Sequence, residues 1–327
     1  MSLKDKRVLV TGAGGFIGSH LAERLVEEAG HVRAMVHYNA LNSAGWLEHS
    51  PRRDDVELYY GDIGDAGSVE RACEDVDVIF HLAALIAIPY SYVAPGAYVT
   101  ANILGSQHIL NAARRTGARV LQTSTSEVYG TARIAPIPES HPLQAQSPYA
   151  ATKIGSDKLA ESYFLSFGLP VTVVRPFNTF GPRQSDRAII PTIIKQVLVG
   201  DVVKIGNTSP TRDLNYVDNT VSAFVAVAKR PDLAGRTIHF GSGREISIGD
   251  LAKLIGQLEG KDIAIESEAQ RQRKAGSEVE RLIADDTLVR ELVPEWRPEI
   301  DLEEGLRRTI EWQRQRGDFR DAGKYVV

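Results

Sequence analysis

The chain has 327 residues with ordinary apolar (43%) and charged (24%) fractions, enough to bury a sizeable core in one large domain or two modest ones. Its formal net charge of −4 gives no electrostatic footing for nucleic acid or an anionic membrane, and neither is expected as a partner. The single cysteine, Cys73, excludes an internal disulfide, no apolar run reaches the length of a membrane span, and "MSLKDKRVLV" lacks a signal-peptide core, so a reducing, cytoplasmic setting is expected.

In chain order, β-branched runs predict strands at Arg7–Gly12, His31–His37, Val56–Asp62, Val76–Ala83, Ala118–Thr125 and Leu169–Pro176. Helical patterns at Ile17–Glu28, Ser68–Glu74, Tyr98–Arg115 and Tyr149–Phe167 fall between most of them. This alternation predicts right-handed βαβ units, hence an α/β fold with a doubly wound parallel sheet. Both faces of such a sheet are covered, which accounts for strands that are almost continuously apolar. After Pro176 the text turns to "FNTFGPRQSDRAIIP", rich in turn formers, and a smaller α/β domain is expected over 177–212 and 242–327. The segment at about 213–241, with helix Val217–Ala228 and strand "RTIHFGS", is expected to return to the first domain, 1–176. The basic cluster Arg271–Lys274 fits a solvated loop and a phosphate contact equally well.

"VLVTGAGGFIGSHLAERL" places Gly12, Gly15 and Gly18 after a strand and before a helix. Glycine permits the tight turn, the close approach of a pyrophosphate and the helix-on-strand contact, and the helix N-terminus offers unpaired N–H groups to the phosphates. A dinucleotide is therefore the expected cofactor. The acid that normally meets the adenosine ribose is absent: His37, Tyr38 and Asn39 end the second strand, leaving NAD and NADP both open. Asp62, after the third strand, is placed to meet the adenine edge or to cap a helix, and the small residues of "HLAA" (His81–Ala84) let a cofactor lie close.

Tyr149 and Lys153 stand four apart in a helical stretch and share one face. An ammonium near a phenol stabilises phenolate, so Lys153 is expected to lower the Tyr149 pKa and make it a general base or acid for a hydroxyl or carbonyl. Thr125, at the end of the fifth strand, is placed to hydrogen-bond the reacting oxygen where open α/β sheets bind ligands. Glu127 adds a base that alcohol oxidation does not need but that removal of a proton beside a ketone does. The histidines show no H-E-x-x-H spacing and Cys73 has no partner motif, so no metal site is expected.

The glycine triplet, "HLAA", "TSTSEVYG", Y-x-x-x-K and "RPFNTFGPRQ" together resemble the extended short-chain dehydrogenase/reductase family over nearly the whole chain. Within it, "TSEVYG" is similar to nucleotide-sugar 4,6-dehydratases of the GDP-mannose type and to UDP-glucuronate decarboxylases. The wider text, including "IPESHPLQAQSPYAATK", "PTRDLNYVDNTV" and "SEVERLIADD", looks most like dehydratases of legionaminic-acid-type pathways, which act on a nucleotide-linked N-acetylglucosamine. The resemblance implies NAD, with NADP not excluded, held by Gly12, Gly15, Phe16, Ile17, Gly18, His37, Asn39, Asp62, Ile63, Leu82, Ala83, Ala84, Thr123, Tyr149, Lys153 and Pro176. It implies that Tyr149 takes the C4 hydroxyl proton, Thr125 orients that oxygen, Lys153 assists, and Glu127 removes the C5 proton as the C6 hydroxyl leaves. The dTDP-glucose branch carries an aspartate where Ser126 stands, so Glu127 itself or a water must protonate the leaving group. Asn178, Arg212 and Arg281 are implied at the nucleotide-sugar diphosphate, with Tyr90 or Ser91 as later sugar contacts. A homodimer through Tyr98–Arg115 and Tyr149–Phe167 is also implied. A decarboxylase, a 4-epimerase and an NAD(P)-binding regulator are the competing readings.

Overall fold

The computed structural model describes residues 1–319 and 322–325. Its strands are β1 (Arg7–Thr11), β2 (His31–His37), β3 (Glu57–Gly61), β4 (Val78–His81), β5 (Arg119–Thr123), β6 (Val171–Pro176), β7 (Asn178–Phe180), β8 (Val202–Ile205), β9 (Thr211–Tyr216), β10 (Thr237–Phe240), β11 (Glu245–Ser247), β12 (Ala264–Ser267) and β13 (Arg281–Leu282). Its α-helices are α1 (Phe16–Glu28), α2 (Ala66–Ala72), α3 (Ile88–Val93), α4 (Pro95–Tyr98), α5 (Gly105–Thr116), α6 (Pro148–Phe167), α7 (Ile189–Val199), α8 (Val217–Ala228), α9 (Ile248–Leu258), α10 (Thr287–Leu292) and α11 (Leu302–Arg316).

Among the described residues, a seven-stranded parallel sheet runs β10-β6-β5-β4-β1-β2-β3, the doubly wound architecture. Side chains alternate across a strand, and here both faces are buried. Val8, Val10, Val78, Phe80 and Leu121 point into one core with Leu21 and Leu25 of α1 and Phe224 of α8. Leu9, Ile79 and Val120 point into the other with Ile109 and Leu110 of α5 and Ala160 of α6. The order reverses beside β1, where the strands' carboxyl ends open a crevice.

The stretch expected as one helix from Tyr98 is interrupted. After α4, residues Val99–Leu104 form a π-helical turn, and α5 begins at Gly105, whose N–H reaches the Thr100 carbonyl. The wider turn faces Asn102 inward. Its amide donates to Leu85 O and Thr152 Oγ1 and accepts from Leu85 N, tying the end of β4 to α6.

A smaller sheet joins β11, β9 and β13, with β7 on the other side of β9, and β12 pairs with β8. Because β9 stays in this sheet, the chain returns to the large sheet at Val217 rather than at Asp213: α8 packs on α1, and β10 extends the large sheet beside β6. The buried Asp213 carboxylate accepts from the N–H groups of Ser242, Gly243 and Ala284, gathering the crossing loops. Among the described residues no helix is long and apolar enough to cross a membrane.

Candidate active site

The glycine turn is closed so tightly that side chains do not fit. Gly12 has φ +70°, and a Cβ there would lie 2.9 Å from Ala83 Cα; at Gly18 a Cβ would come within 2.2 Å of the Gly12 carbonyl oxygen. Gly15 caps α1 without a side chain, and the first turn holds no acidic residue, so the N–H groups of Phe16, Ile17 and Gly18 face outward with the positive end of the helix. The donors and the cradle fit a dinucleotide pyrophosphate.

The floor beyond this turn is pinned by a chain of buried hydrogen bonds. Thr11 Oγ1 accepts from Leu82 N and Ala83 N at 3.1 Å each, so its hydroxyl proton goes to His81 Nδ1 at 2.8 Å. His81 Nε2 then donates to Ser106 Oγ at 3.2 Å. Burial, aided by Lys153, lowers the His81 pKa to about 3 and keeps the ring neutral. Leu82, Ala83 and Ala84 are thus fixed opposite Gly12.

Past the ends of β2 and β3, His37 and Asp62 project into solvent 3.9 Å apart, and Asp62 Oδ1 also accepts from Gly64 N. Asp62 does not cap a helix; Asp65 does, accepting from Ser68 N. Asn39 departs from expectation. Its amide donates to His37 O and Ser43 O and accepts from Leu41 N and Ser43 N, which spends the side chain on its own loop. Ile63 sits on Gly105 of α5.

Thr125, Glu127, Tyr149 and Lys153 converge. A Pro148 start and a Ser147 cap set α6 so that Tyr149 falls in its first turn, facing the end of β5. Thr125 lies close enough to the Tyr149 phenol to pull its pKa down, and its Oγ1 accepts from Glu127 N at 3.2 Å. Glu127 is 7% exposed and close enough to act on both Tyr149 and Arg212. The electrostatics correct one expectation. Burial pushes the Tyr149 phenol above its ordinary value, with Thr125 opposing and Glu127 and Tyr98 reinforcing; Lys153 does not offset it. Lys153 instead points Nζ at the Thr123 carbonyl, 2.5 Å away, and burial lowers its own pKa to about 8 against the pull of Asp157. Ser126 is buried beside Glu127. Among the described residues Thr123 Oγ1 is buried without a partner, as is Asn178 Oδ1 at the start of β7, just past Pro176.

The arginines separate by strand geometry. Arg212 on β9 is 7% exposed, and burial lowers its pKa. Arg212 Nη2 lies 3.8 Å and Arg273 Nη1 3.6 Å from Glu278 Oε1, and Arg273 Nη1 is buried with no hydrogen bond. The two guanidinium groups share the Glu278 carboxylate at ion-pair rather than hydrogen-bond distance, which leaves N–H donors on both for an anion such as a diphosphate. Arg281 does not join them. Opposite Thr211 in register, it shares the face away from Arg212 and forks onto Glu245, with its side chain 48% exposed. Arg273, from the "RQRK" cluster, is the arginine that the structure brings to Arg212 and Glu278, whereas Arg281 faces Glu245. Arg271 in that cluster is structural, bonded to Glu268 and the Gly323 carbonyl. Ser91 is buried and donates to Ile88 O, so of the two late candidates only Tyr90 is exposed.

Comparison with known proteins finds the GDP-mannose 4,6 dehydratase family over residues 9–309. The chain is 32% identical to UDP-glucuronic acid decarboxylase 1 of Xenopus tropicalis, covering all of this chain and 76% of that protein. It is 34% identical to UDP-glucose 4-epimerase of Mycolicibacterium smegmatis, covering 95% of this chain and 99% of that one. The crystal structure of DesIV, a dTDP-glucose 4,6-dehydratase from Streptomyces venezuelae with NAD bound, matches at a TM-score of 0.85 and 30% identity, covering 95% of this chain and 98% of the other.

Proposed function

Since the chain belongs to the GDP-mannose 4,6 dehydratase family, with nucleotide-sugar dehydratases, epimerases and decarboxylases among its relatives, we propose that it is a nucleotide-sugar 4,6-dehydratase. The proposed substrate is a UDP- or GDP-linked N-acetylglucosamine and the product its 4-keto-6-deoxy form. The observation that carries this reading is Glu127: a nearly buried carboxylate beside the Thr125–Tyr149 pair. Oxidation at C4 needs no such base, whereas elimination across C5 and C6 does.

In this reading Tyr149 accepts the C4 hydroxyl proton as phenolate, a form that burial disfavours, so the bound ligands must bring the Tyr149 pKa down; Thr125 would hydrogen-bond the same oxygen. The 4-ketone acidifies the C5 hydrogen, Glu127 removes it, and the C6 hydroxyl departs as water, protonated by Glu127 or through a water. A bound NAD would supply the hydride acceptor and donor: with the hydride taken from C4 restored at C6 and a proton restored at C5, the cycle is redox-neutral. The pyrophosphate of that NAD would lie on Gly12, Gly15 and the first turn of α1, its adenosine near His37 and Asp62, and its ribose within reach of Lys153. Asn178, Arg212 and Arg273 would hold the sugar diphosphate. The dimer contact is assigned to the face of α4, the π turn and α6 that exposes Val99, Leu104 and Leu165, to be checked by light scattering.

The test is mass spectrometry after incubation with NAD and a panel of UDP- and GDP-linked N-acetylglucosamine, glucose, mannose and glucuronate. Loss of one water from a hexose supports the dehydratase and names its substrate. Loss of carbon dioxide from glucuronate would replace it with the decarboxylase. A C4 epimer of unchanged mass would replace it with the epimerase.

A further inference from the structure

The loop that carries Thr125 and Glu127 is anchored at both ends by one ion pair sealed from solvent. Asp157 on α6 and Arg175 on β6 are 3% and 5% exposed. Arg175 Nε and Nη2 donate to Asp157 Oδ2 at 3.0 and 2.9 Å, and Ser124 Oγ donates to the same oxygen at 2.7 Å. Arg175 Nη1 donates to the Tyr129 hydroxyl at 3.1 Å, with the guanidinium carbon 5.1 Å from the ring centroid. That hydroxyl donates onward to His239 Nδ1 at 3.1 Å, and His239 Nε2 donates to the Asp285 carbonyl at 2.6 Å. Asp157 Oδ1 has no partner. One turn earlier on α6, Lys153 binds the Thr123 carbonyl.

Ser124 opens the loop and Tyr129 closes it, so a single guanidinium–carboxylate unit fixes both ends against the helix that bears Tyr149 and Lys153. The Glu127 carboxylate itself is held by no hydrogen bond among the described residues, so its place depends on that frame. A buried ion pair is a poor device for stability alone, because desolvation offsets most of the attraction. The planar fork of arginine is a good device for fixing angles.

We propose that Asp157 and Arg175 are positioning residues that set Glu127 relative to Tyr149, acting on the loop through Ser124 and Tyr129. The inference rests on the dehydratase reading for which step it affects, but not for whether the pair anchors the loop. Releasing the Tyr129 end displaces Glu127 and leaves Thr125, at the Ser124 end, and Tyr149 in place.

The experiment uses Tyr129→Phe, which removes the hydroxyl and keeps the ring, with Ser124→Ala as a second variant. In the NAD-loaded protein, amide hydrogen exchange at residues 126–130 is expected to quicken at least tenfold in Tyr129→Phe, while α6 amides stay as in the parent. Unchanged exchange at 126–130 would overturn the anchoring, whatever the protein's substrate. With the substrate found above, exchange of the C5 hydrogen for deuterium should fall at least tenfold relative to C4 oxidation, a ratio indifferent to the folded fraction. A proportional fall of both steps, or an unchanged ratio, would reduce the pair to a structural role and overturn the proposal. Absence of elimination in the parent protein would instead refute the dehydratase and leave the exchange measurement to decide the anchoring.

Discussion

The two ends of the crevice, one proposed for the cofactor and the other for the substrate, are made of different material. The cofactor end presents backbone: glycines without room for a Cβ, a helix N-terminus without a side-chain cap, and strand ends fixed by Thr11 and His81. The substrate end presents side chains drawn from separate places, Arg212 from β9, Arg273 from the loop after β12 and Asn178 from β7, with Glu278 holding the two guanidinium groups. Backbone recognition suits a cofactor whose pyrophosphate is constant. Side-chain recognition can change residue by residue.

Substitutions at each end should separate the two. The largest effect concerns the group between the ends. Tyr149→Phe removes the hydroxyl proposed as acid and base and should cut turnover by about 10²–10⁴-fold with NAD affinity within about threefold of the parent, read by steady-state kinetics and calorimetry. At the cofactor end, Gly18→Ala forces a Cβ to within 2.2 Å of a backbone oxygen and should cost about 3 kcal/mol, the upper part of the overpacking range, seen as weakened NAD binding and a lowered melting temperature. Normal NAD affinity in that variant would mean that the turn opens more easily than the contrast allows.

At the junction of the two parts, Glu139 accepts from His239 N and is raised to about 7, chiefly by burial, with Asp285 reinforcing and the His239 N–H and Arg175 opposing. His239, 3.6 Å away, is itself lowered to about 4, so it is neutral and no ion pair forms. Folding thus favours the protonated carboxyl. Below about pH 4.5 both states are protonated and nothing is lost; from there to about pH 7 the unfolded chain releases its proton first and stability falls. The loss is then constant, about 3 kcal/mol. Glu139→Gln should flatten this slope in denaturation curves and leave the variant more stable than the parent above pH 7. At the substrate end, Arg273→Ala should raise KM by about 10–100-fold with kcat nearly kept, as for a lost charged hydrogen bond of about 2 kcal/mol. Arg281→Ala, which only breaks an exposed pair with Glu245, should shift neither constant by more than about threefold.

The same contrast explains what was legible in the sequence. The α/β fold, the glycine turn and the Y-x-x-x-K helix depend on residues close in the chain, whose spacing already encodes period and turn. The separation of Arg281 from Arg212 is not legible in sequence: only the register that sets Arg281 opposite Thr211 shows that it faces away. Asn39 could not be discounted until its loop was seen to close on its amide. The π turn that aims Asn102 at Leu85 leaves no mark in helical periodicity. Asp157 sits at ordinary helical spacing from Lys153, and its partner Arg175 reads only as a strand residue, so their joint hold on the catalytic loop becomes visible once β6 and α6 are side by side. The expected influence of Lys153 on Tyr149 was reasonable from spacing, but burial, a property of the packed site, outweighs it.

The most direct test of the central claim is isotope exchange in heavy water, with NAD and the nucleotide-linked N-acetylglucosamine, comparing the parent with Glu127→Gln. The account predicts a 4-keto-6-deoxy product carrying deuterium at C5 in the parent. In the variant it predicts loss of both water release and C5 exchange while C4 oxidation persists. Full C5 exchange and water release in Glu127→Gln would contradict it, because the base would then lie elsewhere.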